Sequence, residues 1–131
     1  MKNVKGIHHV CLKANGIEEF EKTLSFYRDT LGLSVAREWG EPDSKAAMLD
    51  TGAGLIEIFS NAPDQLGMGA IRHIALGVES TDFAIDAVRA LGYSVIMEPT
   101  DIVLPSCEPY PARIAFCVGP LGEEIEFFEC K

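Results

Sequence analysis

Residues 7–12 read IHHVCL, and residues 71–76 read IRHIAL. Both fit the pattern I-x-H-[VI]-x-L. Further matches occur in the same order. LGLSV at 31–35 returns as LGYSV at 91–95, and LIEIF at 55–59 returns as EIEFF at 124–128. One short apolar match has little weight, but an ordered series marks an internal duplication. A duplication of this kind decides the architecture before any single element does.

The stretches between the matches have one coarse layout in each half. Residues 6–13 alternate in strand fashion. Residues 17–31 carry Ile17, Phe20, Leu24, Tyr27 and Leu31 at helical spacing, and Gly32 stands where a helix commonly stops. Strand-like runs come next at 33–39, 45–50 and 54–60. The second half opens with a strand at 71–78. A helix over 81–91 is next, capped by Ser80 or Thr81 and ended by Gly92. Strands then occupy 93–97, 112–118 and 123–129. The expected fold class is α+β: two βαβββ modules, 1–60 and 71–131, joined by a linker at 61–70 (NAPDQLGMGA). The prolines of 98–111 predict a long loop, and loops of that length are often functional.

Composition narrows the function classes. The chain has 131 residues, 47% hydrophobic and 24% charged, which suits one ordinary globular domain. Its formal net charge of −9 disfavours nucleic acid and anionic membranes as partners. No apolar run approaches the ~20 residues of a membrane span. The opening MKNVKGIHH lacks the apolar core of a signal peptide, so a cytoplasmic location is expected. Cys11, Cys107, Cys117 and Cys130 form no CxxC pair and read as reduced, non-catalytic thiols. Cys11 and Cys117 lie in apolar runs, where burial is expected.

Strand alternation then sorts the chemistry. Successive side chains of a strand point to opposite faces. Val10 and Leu12 share one face and His9 the other. Glu57 lies opposite Ile56 and Ile58, His73 opposite Ile74 and Leu76, and Glu126 opposite Ile125 and Phe127. The aliphatic faces are where the helices should pack. The remaining surface holds all four polar residues among Ile7, Leu55, Phe59, Ile71 and Phe128, and such a mixture suits a ligand pocket. One His and one Glu come from each half, at equivalent positions. Two imidazoles and two carboxylates suit one divalent ion such as Ni, Co, Zn or Mn, with coordination positions left for water or substrate.

At these residues the chain resembles the vicinal oxygen chelate superfamily (glyoxalase, bleomycin resistance, dioxygenase), and within it the bacterial glyoxalase I branch, the lactoylglutathione lyases. The stretches that carry the resemblance are IHHVCLKANGIEEFEKTLSFYRDTLGLSV (7–35), RHIALGVES (72–80) and GPLGEEIEFFE (119–129). It implies paired βαβββ modules whose mixed sheet curls around a metal centre. By position, His9, Glu57, His73 and Glu126 match the family's metal ligands. Glu126 matches its catalytic base, and Glu57 matches a second carboxylate able to act from the other side. Lys13 and Asn61 match positions that contact the thiol part of the substrate. The implied reaction converts the hemithioacetal of a 2-oxoaldehyde and a thiol to a 2-hydroxyacyl thioester through an enediolate. The alternatives are an acyl-CoA epimerase of the methylmalonyl-CoA type and a non-catalytic small-molecule-binding or resistance protein. A homodimer and a small-molecule substrate, such as a thiol conjugate, are the implied partners. The turn at 119–122 departs from the family pattern, with Gly-Pro-Leu-Gly where Asp-Pro-Asp-Gly is usual.

Overall fold

A computed structural model of the chain describes residues 5–69 and 71–131. The chain divides into two compact units, Met1–Leu66 and Gly67–Lys131. The division falls inside the stretch 61–70, whose last residue, Ala70, lies outside the described residues, as do residues 1–4.

In unit 1 the elements run β1 (His9–Lys13), α1 (Ile17–Ser25), β2 (Ser34–Glu41), β3 (Ser44–Asp50) and β4 (Leu55–Phe59). The sheet order is β1-β4-β3-β2, with β1 parallel to β4 and the other pairs antiparallel. The helical spacing places Phe20, Leu24 and Tyr27 inside, and α1 packs on β3 and β4, where Leu49, Ile56 and Ile58 are also buried. The expected helix 17–31 is not α-helical throughout: Phe26–Thr30 forms a π-helical turn. Leu31 N–H donates to Phe26 O across that wider turn at 3.1 Å. Adjacent Phe26 and Tyr27, edge-on at 5.1 Å, both enter the core there. Gly32, at φ +78, releases the chain into β2.

Unit 2 repeats the arrangement with β5 (His73–Gly77), α2 (Thr81–Ala90), β6 (Val95–Leu104), β7 (Tyr110–Val118) and β8 (Glu124–Cys130), in the order β5-β8-β7-β6. Ser80 Oγ caps α2 by accepting from Phe83 N–H at 3.1 Å. Ile85, Val88, Ile125 and Phe127 form the core of this unit.

The long loop expected at 98–111 is instead mostly a hairpin. β6 runs on to Leu104 and β7 begins at Tyr110. Pro99 lies on the edge strand β6 within the register shift between Met97 and Thr100, the kind of position at which a sheet accepts proline. Pro111 is the second residue of β7, paired with Val103. Among the described residues no helix is long and apolar enough to cross a membrane.

Candidate metal centre

Directly paired residues on neighbouring strands project from the same face. His9 pairs with Leu55, and Cys11 pairs with Glu57. His9 and Glu57 are therefore diagonal neighbours on one face of the first sheet. His9 Nε2 lies 3.5 Å from Glu57 Oε1. The second sheet repeats the geometry: His73 pairs with Glu124 and Ala75 with Glu126, and His73 Nε2 lies 3.2 Å from Glu126 Oε1. In both pairs the imidazole is 38% exposed and the carboxylate about a tenth exposed, at 11% and 12%.

The sequence makes this local geometry. Ile56 and Ile58 in β4, and Ile125 and Phe127 in β8, are fully buried on the helix side. Alternation turns the intervening glutamate to the other face. Glu57 is only 8% exposed and has no Lys or Arg within ion-pair distance among the described residues; its polar neighbours are His9 and the Cys11 thiol. A carboxylate kept from water without a full cationic partner is costly. An imidazole nitrogen beside it completes half of a donor set for an intermediate divalent ion. Each unit by itself holds two of the expected ligands. Among the described residues no group of three or more His, Cys, Asp and Glu side chains is gathered for a metal.

The surroundings of the two histidines differ. His8 Nδ1 lies 2.9 Å from His9 Nδ1, so one imidazole braces the other and leaves His9 Nε2 toward Glu57. His73 has no such neighbour in sequence and is held edge-on by Phe116 at 5.3 Å. Cys11, expected to be buried, is exposed, because it shares the His9 face rather than the helix face. Partial burial, then the charge of Glu57, pushes its thiol pKa up. Cys117 is the buried one, and burial pushes its thiol up to about 12. All four cysteines are free.

Lys13 pairs with Phe59 on the same face, its Nζ 6.0 Å from the ring centroid. Asn61 comes after β4 and forms an isolated bridge with Asn15. Strand alternation missed Arg37, Met48 and Trp39, which also belong to this face. Met48 pairs with both Glu57 and Arg37, and Arg37 Nη1 donates to Met48 Sδ at 3.1 Å. Trp39 meets Phe59 edge-on at 5.8 Å. A cavity of about 450 Å³ at the tip of the β2–β3 hairpin, bounded by Phe20, Trp39 and Lys45, does not include His9 or Glu57.

The family model for the Glyoxalase/Bleomycin resistance protein/Dioxygenase superfamily matches residues 6–127. The chain belongs to this superfamily. Within it, the chain is 32% identical over 123 residues to a lactoylglutathione lyase of Haemophilus influenzae, covering 88% of this chain and 87% of the relative. It is 30% identical over 121 residues to a probable lactoylglutathione lyase of Synechocystis, covering 86% and 88%. The solved structure of a glyoxalase family protein from Enterococcus faecalis superposes with a TM-score of 0.67 at 26% identity, covering 95% of this chain and 98% of that one. These likenesses support a glyoxalase-like function in a superfamily whose description also names resistance proteins.

Proposed function

We propose that the protein is a metal-dependent lyase of the glyoxalase I kind. It would convert the hemithioacetal of a 2-oxoaldehyde and a thiol to the 2-hydroxyacyl thioester. The observation that carries this reading is the His–Glu pair repeated in each unit: His9 with Glu57, and His73 with Glu126. Lactoylglutathione lyases among the relatives point to the same reaction.

His9, Glu57, His73 and Glu126 would hold one divalent ion, Ni, Zn, Co or Mn. When bound, that ion supplies Lewis-acid stabilisation to the oxygen charge that develops in the reaction. Glu126 is the base in this reading. It takes the proton from the carbon that carries sulfur, leaving an enediolate, and returns it to the neighbouring carbon. The hydroxyl proton passes to the former carbonyl oxygen, so the reaction is an isomerisation with nothing gained or lost. The apolar side chains beside Glu126, Phe116 and Phe128, limit water around the carboxylate while it holds the proton. In this reading Glu57 does the same for the opposite face of the substrate. Lys13 and Asn61 would contact the thiol part. We also read the protein as a cytoplasmic homodimer.

The test combines metal analysis with turnover. Purified protein dialysed against Ni, Zn, Co or Mn should retain one ion per site and convert the methylglyoxal–glutathione hemithioacetal or a related thiol adduct. Glu126→Gln should lose turnover by about a thousandfold while still binding the ion. Full activity in that variant sinks the assignment of the base. Protein with no affinity for any of these ions would be a binding module instead.

A further inference from the structure

The duplication provides an internal comparison. The position before each candidate ligand differs between the halves: His8 precedes His9, whereas Arg72 precedes His73. Strand alternation turns neighbours to opposite faces, but His8 lies outside β1, which begins at His9. Its imidazole turns back onto its neighbour, and the two rings meet edge-on with centroids 5.2 Å apart. The backbone at this point is held. Leu55 N–H donates to His8 O at 2.9 Å, and a Cβ at Gly54 would stand only 3.2 Å from Ile7 O. The His8 ring therefore stands on a segment anchored to β4, the strand that carries Glu57.

His9 then has a defined neighbour at each ring nitrogen. Nδ1 lies 2.9 Å from His8 Nδ1, and Nε2 lies 3.5 Å from Glu57 Oε1. A neutral imidazole carries one proton, so one nitrogen donates and the other accepts. Two Nδ1 atoms at hydrogen-bond distance need one proton between them, and either ring can supply it. The carboxylate decides which. With no cation at the site, a lone pair on His9 Nε2 would face the Glu57 carboxylate, whereas an N–H there is attracted to it. His9 therefore keeps its proton on Nε2, and His8 Nδ1–H donates to His9 Nδ1. A cation held by His9 takes the Nε2 lone pair, so the His9 proton must then be on Nδ1, with His8 accepting. Arg72 cannot fill this role beside His73, because a guanidinium only donates. His73 has the Phe116 ring as its neighbour instead.

We propose that His8 is a positioning residue that exchanges tautomers with His9, donating in the metal-free site and accepting when His9 holds a cation. The exchange balances, with no net gain or loss of protons. The His9 Nε2 proton leaves to water, the shared proton passes from His8 Nδ1 to His9 Nδ1, and His8 Nε2 takes a proton from water. His8 is exposed, so that last nitrogen has solvent to draw on. Without such a partner, His9 Nδ1–H would lose its acceptor whenever Nε2 gives up its lone pair. The inference rests on the reading of His9 as a metal ligand proposed above, but its metal-free half is observable without any ion.

The experiment is long-range proton–nitrogen correlation spectroscopy of the imidazoles in the full-length protein. It is run at about pH 8, where neutral histidine predominates, first with chelator and then with zinc, the diamagnetic choice. His8 should be the Nδ1–H tautomer in chelator and the Nε2–H tautomer with zinc, and His9 should change in the opposite sense. Zinc affinity is the second readout. His8→Phe, which keeps a ring without donor or acceptor, should weaken zinc binding about tenfold or more. His8→Asn, whose amide offers both, should stay within about threefold of the wild type. Arg72→Phe, the same change in unit 2, should also stay within about threefold. His8 found as the Nε2–H tautomer in chelator overturns the proposal. So does unchanged zinc affinity in His8→Phe, or a loss of the same size in His8→Asn or Arg72→Phe. Failure of the wild type to take up zinc, with the chelator tautomers as stated, would refute the metal reading of the site and support the donor assignment of His8.

Discussion

Replacing Glu57 by Gln should make the metal-free protein more stable and the metal-supplemented protein less so. The side chain is 11% exposed, and its nearest imidazole nitrogen, 3.5 Å away, is too distant for a strong hydrogen bond. No Lys or Arg among the described residues pairs with it. Desolvating an incompletely paired charged group costs about 1–3 kcal/mol or more. A glutamine of the same shape carries no net charge, and the gain should be about 1 kcal/mol once the His9 contact is discounted. For a chain of this length that is a rise of roughly 3–5 °C in Tm. Metal works in the other direction. An ion present at a hundred times its Kd stabilises the native state by about 2.7 kcal/mol. If Gln weakens binding about a hundredfold, the same concentration stabilises the variant by only about 0.4 kcal/mol. Differential scanning calorimetry of both proteins, with chelator and with each of Ni, Zn, Co and Mn, reads the crossing directly. A variant that melts lower than wild type in chelator, yet keeps the full metal increment, would refute the argument. Glu57 would then be a structural acid whose neighbours already satisfy it.

Two further predictions concern the scaffold. Burial holds the Cys117 thiol at about 12 against an ordinary value of 9.0, so between those values the unfolded chain releases a proton that the native one retains. Stability should fall as pH rises from about 9 toward about 12. Urea midpoints measured across that window should show a shallower decline in Cys117→Ala, and an unchanged decline would remove Cys117 as the cause. Ser80→Ala leaves the Phe83 N–H at the start of α2 without its side-chain acceptor and should destabilise by about 1 kcal/mol, read as a lowered urea midpoint at constant m-value. Ser80→Asp should restore most of it, and no recovery would mean that Ser80 acts through something other than the cap.

Much of the fold was legible because the core-facing residues alternate without interruption in the short strands that carry the candidate ligands. Val10 and Leu12 in β1, and Ile56 and Ile58 in β4, fix the face of His9 and Glu57. The same counting puts His73 and Glu126 together. Counting failed where the backbone inserts a residue. Simple alternation from Val35 would send Arg37 to the helix side with it, and only the pairing to β3 shows that it does not. Proline misled in the second unit for a related reason. Pro99 reads as a breaker, but an edge strand with a local register shift accepts it. Cys11 misled because apolar neighbours in sequence are not neighbours on its face of the sheet.

Both sheets carry a register shift at the same point of the repeat, between Val35 and Arg37 in β2 and between Val95 and Met97 in β6, and this repeated bulge shows how two halves with one fold can differ in chemistry. A backbone irregularity present in both units at the same place is part of the duplicated architecture, and it costs no new structure to use. Its effect is to add one strand position to the face that bears the His–Glu pair. That position holds Arg37 in one unit and Met97 in the other, both reached through a side chain that packs beside the glutamate, Met48 in the first and Phe116 in the second. Changing the residue there alters charge on the face of the candidate ligands, two strands from the glutamate, without disturbing Leu49 or Cys117, which are buried on the helix side. Recognition can therefore diverge while the ligand pair and the core stay fixed. Arg37→Met, which copies unit 2 into unit 1, should fold normally, with a urea midpoint close to that of the wild type, and a large drop in that midpoint would show that the position is not free to vary.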